Sequence, residues 1–146
     1  MNYKTSVSFT LIGNNFDPEE ITAKLGITPT KTRRIGELIR PNSSKRMKHN
    51  IWKLESKLDK SVELEEHIKS VFEQLQPSWQ MLVEICACYY AEISCAIYVY
   101  GQVPAIHFDK DIIDMASKLN AEIDVDLYVL QEDNEKSTPQ QFSEIN

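Results

Sequence analysis

The chain has 146 residues, a formal net charge of −6 and 42% hydrophobic residues. That length fits a single domain with a core of its own, and the composition excludes collagen and bulk disorder. No apolar run approaches the roughly 18 residues of a membrane-spanning helix. Residues 1–4 lead straight into alternating residues and not into the apolar segment of a secretory signal, so we expect a cytoplasmic protein.

The first part of the chain predicts strands separated by one helix. Apolar and polar residues alternate over 4–12, which is typical of a half-buried strand. Asp17, followed by a proline, has the chemistry of a helix N-cap, and Gly26 suits the left-handed residue that ends a helix. A short strand over 30–35 and another over 51–55 follow.

The middle of the chain predicts two consecutive helices. Apolar residues over 64–75 form one helical stripe, with Asp59 or Ser61 as the N-cap. Pro77 ends this helix, because proline lacks an N–H group and clashes with the preceding turn. Helical spacing resumes at Trp79, which predicts a second, shorter helix.

The last part of the chain returns to strands around one helix. Strict alternation over 93–99 predicts a strand, and residues 103–108 predict a short returning strand at a sheet edge, because they contain a proline. Asp109 predicts the N-cap of a last helix, which ends at Asn120. Alternation over 123–129 predicts the final strand.

This order of elements predicts an α+β fold with a mostly antiparallel sheet and helices packed on one face. The arrangement we favour is ferredoxin-like with an added β-α-β unit. Residues 1–131 then form a single globular domain. Residues 132–146 are acidic and polar without periodicity, which predicts a flexible tail.

The cysteines argue against a disulfide framework or a zinc site. Cys86, Cys88 and Cys95 are odd in number and lie close together, and no second Cys/His pair follows them at metal-ligand spacing. We therefore expect buried, reduced thiols and predict no metal and no cofactor.

Motifs for catalysis are missing from the sequence. It contains no nucleophile elbow, no glycine-rich phosphate loop and no His-Glu-x-x-His. Asp124 and Asp126 share a strand face, and paired carboxylates can raise a pKa or bind a metal, but the interpretation we favour is the solvated face of an exposed strand. His107 beside Asp109 is typical of a structural histidine. We therefore favour a protein without catalytic residues.

Charge is concentrated in one segment. Residues 31–49 carry a net charge of +6, with Glu37 as their single acid, whereas the rest of the chain carries −12. Such a segment attracts phosphate, nucleic acid or an acidic protein surface. Because it contains Pro41 and adjacent polar residues, we expect it to be at least partly a mobile loop.

The basic segment is the predicted binding site, for an anionic small molecule or a protein partner. Arg33 and Arg34 would contact carboxylate or phosphate groups, although neighbours on a strand point to opposite faces and only one would face a given ligand. The other predicted ligand-binding residues are Lys31, Thr30, Gly36 and Trp52. Gly36 would permit close backbone approach, and the alternation places Trp52 with the core.

Two alternatives use other features. The chain outside residues 31–49 is acidic, which suits an immunity-type inhibitor that covers a basic toxin or nuclease. The candidate residues for this role are Glu63, Glu65, Glu66, Asp124 and Asp126. Single-stranded nucleic acid would use the basic segment and the aromatic rings of Tyr98, Tyr100 and Tyr128. The sequence pI of about 5.1 argues against a dedicated duplex-DNA binder, so nucleic acid is not the partner we favour. A homodimer is a further alternative.

Several motifs carry a family resemblance. The run from Phe16 to Thr30, read with Gly36, the Trp52-Lys53-Leu54 strand and the closing segment 119–128, resembles the bacterial family called domain of unknown function 4279. The resemblance covers about residues 5–130. It implies a small, single-domain cytosolic bacterial protein and supplies no catalytic residue.

Overall fold

The computed structural model describes residues 3–130 and the strand Gln140–Ser143. Six strands and four α-helices make up this part of the chain. In chain order they are β1 (Tyr3–Gly13), α1 (Pro18–Leu25), β2 (Lys31–Arg33), β3 (Asn50–Glu55), α2 (Leu64–Leu75), a 3-10 turn (Gln76–Ser78), α3 (Trp79–Cys86), β4 (Tyr90–Val99), α4 (Lys110–Lys118), β5 (Ala121–Val129) and β6 (Gln140–Ser143).

The strands form one mixed sheet in the order β2-β3-β1-β4-β5-β6. Every neighbouring pair is antiparallel except β4 and β5, which are parallel. Strands β1 to β4, with α1 after β1 and α2–α3 after β3, have the ferredoxin-like order. The crossover through α4 adds β5 beside β4. The predicted ferredoxin-like sheet with an extra β-α-β unit is therefore confirmed.

The core lies between the sheet and its helices. Alternate side chains of the central strands, such as Phe9 and Leu11 of β1 and Ile93 of β4, are fully buried. Helix α2 packs on β1, α1 on β3 and α4 on β5. The residues between these positions are mostly polar or aromatic with a hydroxyl group, and they form the opposite side of the sheet, which we call the outer face.

The two helices predicted to begin at Asp17 and Asp109 begin and end as expected. The Asp17 carboxylate accepts the Glu19 N–H at 3.0 Å, and α1 is followed by Gly26 at φ +67°. The Asp109 carboxylate likewise accepts the Ile112 N–H at 2.9 Å, and Asn120, after α4, has φ +53°. Asparagine is one of the few residues that tolerate this left-handed conformation.

The structure corrects three of the local predictions. Helix α2 begins after Glu63, which makes no capping hydrogen bond, so neither Asp59 nor Ser61 is its cap; instead the Asp59 carboxylate accepts bonds from Ser61. Residues 103–108 form no strand, because the strand beside β4 is the parallel β5 and the segment crosses toward α4. Cys88 is exposed, whereas Cys86 and Cys95 are buried.

The end of the chain is described only in part. Gln140–Ser143 pair antiparallel with β5 as the strand β6. The rest of the predicted tail over 132–146 lies outside the described residues and stays a prediction, as does the domain boundary near residue 131. Within the described residues, no helix is long and apolar enough to cross a membrane.

Candidate functional site

The basic segment folds into an ordered hairpin. Gly36 and Met47 face each other, with the Gly36 N–H donating to the Met47 carbonyl at 3.0 Å. Further along, the Ile39 N–H donates to the Lys45 carbonyl. At the tip, the Ser43 N–H donates to the Arg40 carbonyl. We call residues 35–48 the basic hairpin. Residues 35–48 are therefore a hydrogen-bonded hairpin, and the predicted mobility of the segment stays a prediction.

Gly36 starts the hairpin because of its backbone conformation. Its φ is +91°, a region that side chains rarely adopt. A Cβ built at this position would meet no other atom within 4 Å. The glycine is thus required by the turn and not by the close approach that the sequence had indicated. Its carbonyl also accepts a bond from Arg46 at 2.7 Å.

Arg33 is used inside the hairpin. Its Nε lies 3.1 Å from a Glu37 carboxylate oxygen, and its Nη2 donates to the carbonyls of Leu38 and Ile39. The side chain is only 18% exposed. A guanidinium that satisfies two carbonyls and a carboxylate shapes the hairpin and has few donors left for a ligand.

Arg34 follows directly after β2, and its side chain has other partners than that of Arg33. Its Nη2 lies 2.8 Å from Asp17 Oδ1 and 3.6 Å from Glu19, and it therefore ties β2 to the start of α1. Together with the Glu19 N–H, which contributes most, Arg34 lowers the pKa of Asp17. This arginine positions a helix cap in the structure.

The remaining predicted residues are divided between surface and core. Lys31 is exposed on β2. The Thr30 hydroxyl accepts the Glu55 N–H at 2.8 Å. Trp52 is 0% exposed, with its indole N–H donating to Thr22 at 3.0 Å, so it packs the core and does not reach a ligand.

Asn50 is a residue of the site that sequence reasoning missed. Its side chain is 8% exposed and bridges two segments that are distant along the chain. Its amide nitrogen donates to the Phe16 carbonyl, and its amide oxygen accepts the Ile35 N–H, both at 2.9 Å. Asn50 therefore fixes the base of the basic hairpin to the loop before α1. An asparagine at the start of a strand carries no sequence signal for this role.

Replacing Asn50 with alanine should destabilise the domain by about 1–3 kcal/mol, because it leaves the buried Phe16 carbonyl and the part-buried Ile35 N–H without their partner. We expect the Ile35 amide to exchange faster with solvent in the same variant, since its acceptor is lost. Urea unfolding and hydrogen exchange measure the two effects. Asn42→Ala at the exposed tip is the matched control and should change neither; equal effects of both variants would contradict the bridging role.

The surface of the basic hairpin combines free cations with apolar side chains. Arg40, Lys45 and Lys48 are exposed, and no ion pair engages them among the described residues. Ile35 is 49% exposed, and the next two apolar residues, at positions 38 and 39, are 39% and 37% exposed. Exposed branched aliphatic residues beside lysine and arginine are typical of surfaces that meet another macromolecule.

The comparison with protein families has a clear result. The family described as Domain of unknown function (DUF4279) matches residues 2–130, which is nearly the whole described part of the chain. The chain belongs to the DUF4279 family. No curated protein and no solved structure matches it.

The acidic residues of the DUF4279 domain do not form one surface. Glu63 and Glu65 lie at the start of α2, on the helical side of the sheet, whereas Asp124 and Asp126 lie on the outer face. Burial raises the pKa of Asp124, and the neighbouring carboxylates, Asp126 first, raise it further. The five acids predicted to contact a basic toxin are thus divided between two sides of the domain.

A chain of hydroxyl groups on the outer face satisfies the nearby carboxylates. The Ser94 hydroxyl donates to Glu92 at 2.6 Å and lies 3.2 Å from the Thr10 hydroxyl. The Tyr90 hydroxyl lies 2.9 Å from Glu92 and 3.0 Å from Glu122. Burial and these two carboxylates raise the pKa of Tyr90. Glu92 and Glu122 are therefore engaged in a hydrogen-bonded surface of the sheet.

The tyrosines proposed for base stacking already have neighbours. Tyr98 and Tyr128 stack on each other across β4 and β5, with ring centroids 4.9 Å apart and planes 14° from parallel. The Lys4 ammonium lies 5.9 Å from the centroid of the Tyr100 ring. A base would have to displace the Tyr98–Tyr128 stack in order to insert between these rings.

The two buried cysteines of the DUF4279 domain are unsuited to nucleophilic chemistry. Burial raises the pKa of both Cys86 and Cys95 to about 12, so neither forms a thiolate at neutral pH. Within the described residues, no group of three or more His, Cys, Asp or Glu side chains is arranged to hold a metal ion.

Proposed function

We propose that this DUF4279 domain is a binding module that uses the basic hairpin to dock on an acidic surface of a protein partner. The observation that supports this most is the pairing of unengaged cations with exposed apolar side chains on one ordered hairpin. The cations attract an acidic surface, and the apolar residues at positions 35, 38 and 39 supply area to bury.

A protein partner fits these features better than a free anion or a nucleic acid. A small anion would not bury the three exposed aliphatic side chains at positions 35, 38 and 39. Nucleic acid would meet long-range repulsion, because the chain outside residues 31–49 carries −12. The arginines first expected to bind the ligand, Arg33 and Arg34, instead build the hairpin that presents the other cations.

The test therefore neutralises the unengaged cations and leaves Arg33 and Arg34 in place. We expect binding to poly-L-glutamate to weaken at least about tenfold, and to depend on salt, since exposed charges are screened. Proteins that co-purify with the domain from its native cell should be lost with the same variant. The residues changed to glutamine are Arg40, Lys45 and Lys48, and Arg46 is kept because it donates to the Gly36 carbonyl within the hairpin.

A second variant removes the same charge elsewhere, and a third tests the apolar contribution. The control changes to glutamine the exposed residues Lys24, Lys57 and Lys110. This control variant should still bind poly-L-glutamate and should still co-purify with the same proteins. Replacing Leu38 and Ile39 with serine should release the proteins while poly-L-glutamate still binds. Equal losses with hairpin and control variants would refute the hairpin site, and stronger binding to a single-stranded oligonucleotide would replace the protein partner with nucleic acid.

A further inference from the structure

A wide groove lies between α2 and α4 on the helical side of the sheet. Its volume is about 600 Å³, within the range of about 300–1,000 Å³ that binding sites usually have. Phe72 of α2 and two residues of α4, Ile112 and Met115, line it. Phe72 and Ile112 are buried in the core and Met115 is partly buried, so the bottom of the groove is apolar. We call it the α2–α4 groove.

The unpaired charges beside this groove are negative. Glu73 of α2 and Asp111 of α4 line it and are exposed, and neither makes an ion pair among the described residues. Lys69 lines it as well, but its ammonium lies 3.1 Å from the Asp109 carboxylate and is already paired. The α2–α4 groove therefore favours an occupant that combines apolar side chains with positive charge.

The basic hairpin has this combination. Its exposed aliphatic side chains are at positions 35, 38 and 39, and its unengaged cations are Arg40, Lys45 and Lys48. The hairpin and the groove are thus complementary in charge, and each offers apolar surface to the other. No ion pair within residues 3–130 and 140–143 joins the hairpin to the groove of its own chain. Both surfaces are exposed on every copy of the chain, so two copies can pair them.

We propose that the basic hairpin docks into the α2–α4 groove of a second copy of this chain. This inference rests on the proposed function, because it takes the hairpin as the docking element and names its partner. The aliphatic side chains of the hairpin cover Met115, and the cations face Glu73 and Asp111. When each hairpin enters the groove of the other copy, the contact is made twice and the pair closes as a symmetric dimer, the commonest arrangement of soluble oligomers.

The first experiment measures the mass of the full chain in solution by sedimentation equilibrium. We expect about twice the 16.8 kDa of one chain at concentrations above roughly 10 μM, an affinity that suits a small interface. The two copies repel each other through their net charge of −6, so the buffer contains about 0.15 M salt, which screens charges more than about 8 Å apart. The mass of a single chain up to about 500 μM would overturn the proposal.

Charge reversal connects the dimer to the two surfaces. A reversed-hairpin variant carries Arg40→Glu, Lys45→Glu and Lys48→Glu, and a reversed-groove variant carries Glu73→Lys and Asp111→Lys. Each variant alone should dimerise at least about tenfold more weakly, because like charges then face each other. The reversed groove also brings the net charge closer to zero, so its loss cannot come from stronger overall repulsion. An equal mixture should restore the dimer, since each reversed surface then meets its opposite charge.

The matched control reverses two exposed acids on the other helices, with Glu20→Lys on α1 and Glu84→Lys on α3. It should dimerise like the wild type. Equal losses in the control and the reversed-groove variant, or a mixture of the two reversed variants that stays monomeric, would overturn the α2–α4 groove as the docking surface. A monomeric wild type whose hairpin still binds poly-L-glutamate would refute the second copy alone. The proposed function itself fails only when neutralising the hairpin cations leaves that binding unchanged.

Discussion

Replacing Trp52 with alanine should lower the free energy of unfolding by about 3–5 kcal/mol. Trp52 is 0% exposed and packs edge-to-face on Phe9, with ring centroids 6.4 Å apart. Alanine would leave a large cavity between β3 and β1 that neighbouring side chains fill only in part. Typical domains are stable by about 5–15 kcal/mol in total, so this single change removes a large share.

The indole also contributes through its N–H group. It donates to the Thr22 hydroxyl at 3.0 Å, and that hydroxyl in turn donates to the Pro18 carbonyl at 3.2 Å. Trp52 therefore joins the sheet to α1 as well as filling the core. Trp52→Phe loses this bond and some volume but keeps an aromatic ring, so it should cost about 1–2 kcal/mol.

Thermal and urea unfolding of the two variants separate these contributions. We expect a fall in melting temperature of roughly 10–20 °C for Trp52→Ala and a much smaller one for Trp52→Phe. Trp79 is the control, because it is partly exposed on α3 and its replacement by phenylalanine should change stability little. A loss below about 1 kcal/mol for Trp52→Ala would contradict the packing seen here.

The elements that follow local rules could be predicted from the sequence. Strict alternation identified β1, β4 and β5, because a strand with one buried face must alternate. The Asp17 and Asp109 caps were also predicted, because a cap acts on backbone groups two or three residues away. The order of these elements then predicted the ferredoxin-like sheet, because the helices must pack on one face of the sheet to bury their apolar sides.

Features that depend on contacts between distant residues could not be predicted. The hairpin is held by Asn50 and by Arg34, whose partners lie 15 to 34 residues away along the chain. Adjacent arginines in a basic segment favoured ligand contacts, and nothing in their spacing shows that Glu37 and Asp17 engage them. The small pocket lined by Thr5, Glu65 and His107 also depends on three segments that meet only in the folded chain.

The stability of the domain should fall as the pH drops from 7 to 5, because His67 is buried in its neutral form. His67 is 1% exposed on α2, and its Nδ1 lies 2.8 Å from the Ser56 hydroxyl. Burial lowers the pKa of His67 from its ordinary value of 6.5. The backbone of Asp59 and Val62 and the Asp59 carboxylate oppose this shift without cancelling it.

The direction of the effect follows from which state binds the proton. Above pH 6.5 the histidine is neutral in both states and its contribution to stability is fully present. As the pH falls below 6.5, the unfolded chain takes up a proton that the folded protein does not, and the folded state loses up to about 1.4 kcal/mol per pH unit. The loss levels off once the pH passes the lowered pKa of the folded protein.

Urea unfolding at several pH values between 7 and 5 measures this slope. His67→Asn keeps a polar group near Ser56 and cannot titrate, so its stability should start lower at pH 7 and change little down to pH 5. His49→Asn is the matched control, because His49 is exposed, and it should keep the wild-type slope. Three carboxyl groups have lowered pKa values, those of Asp17, Asp59 and Asp109. The stability that they contribute is lost only in more acidic solution, and it is lost equally in the wild type and in both variants. A wild-type slope retained in His67→Asn would assign the pH dependence to another group, since His67 is the buried histidine of the described residues.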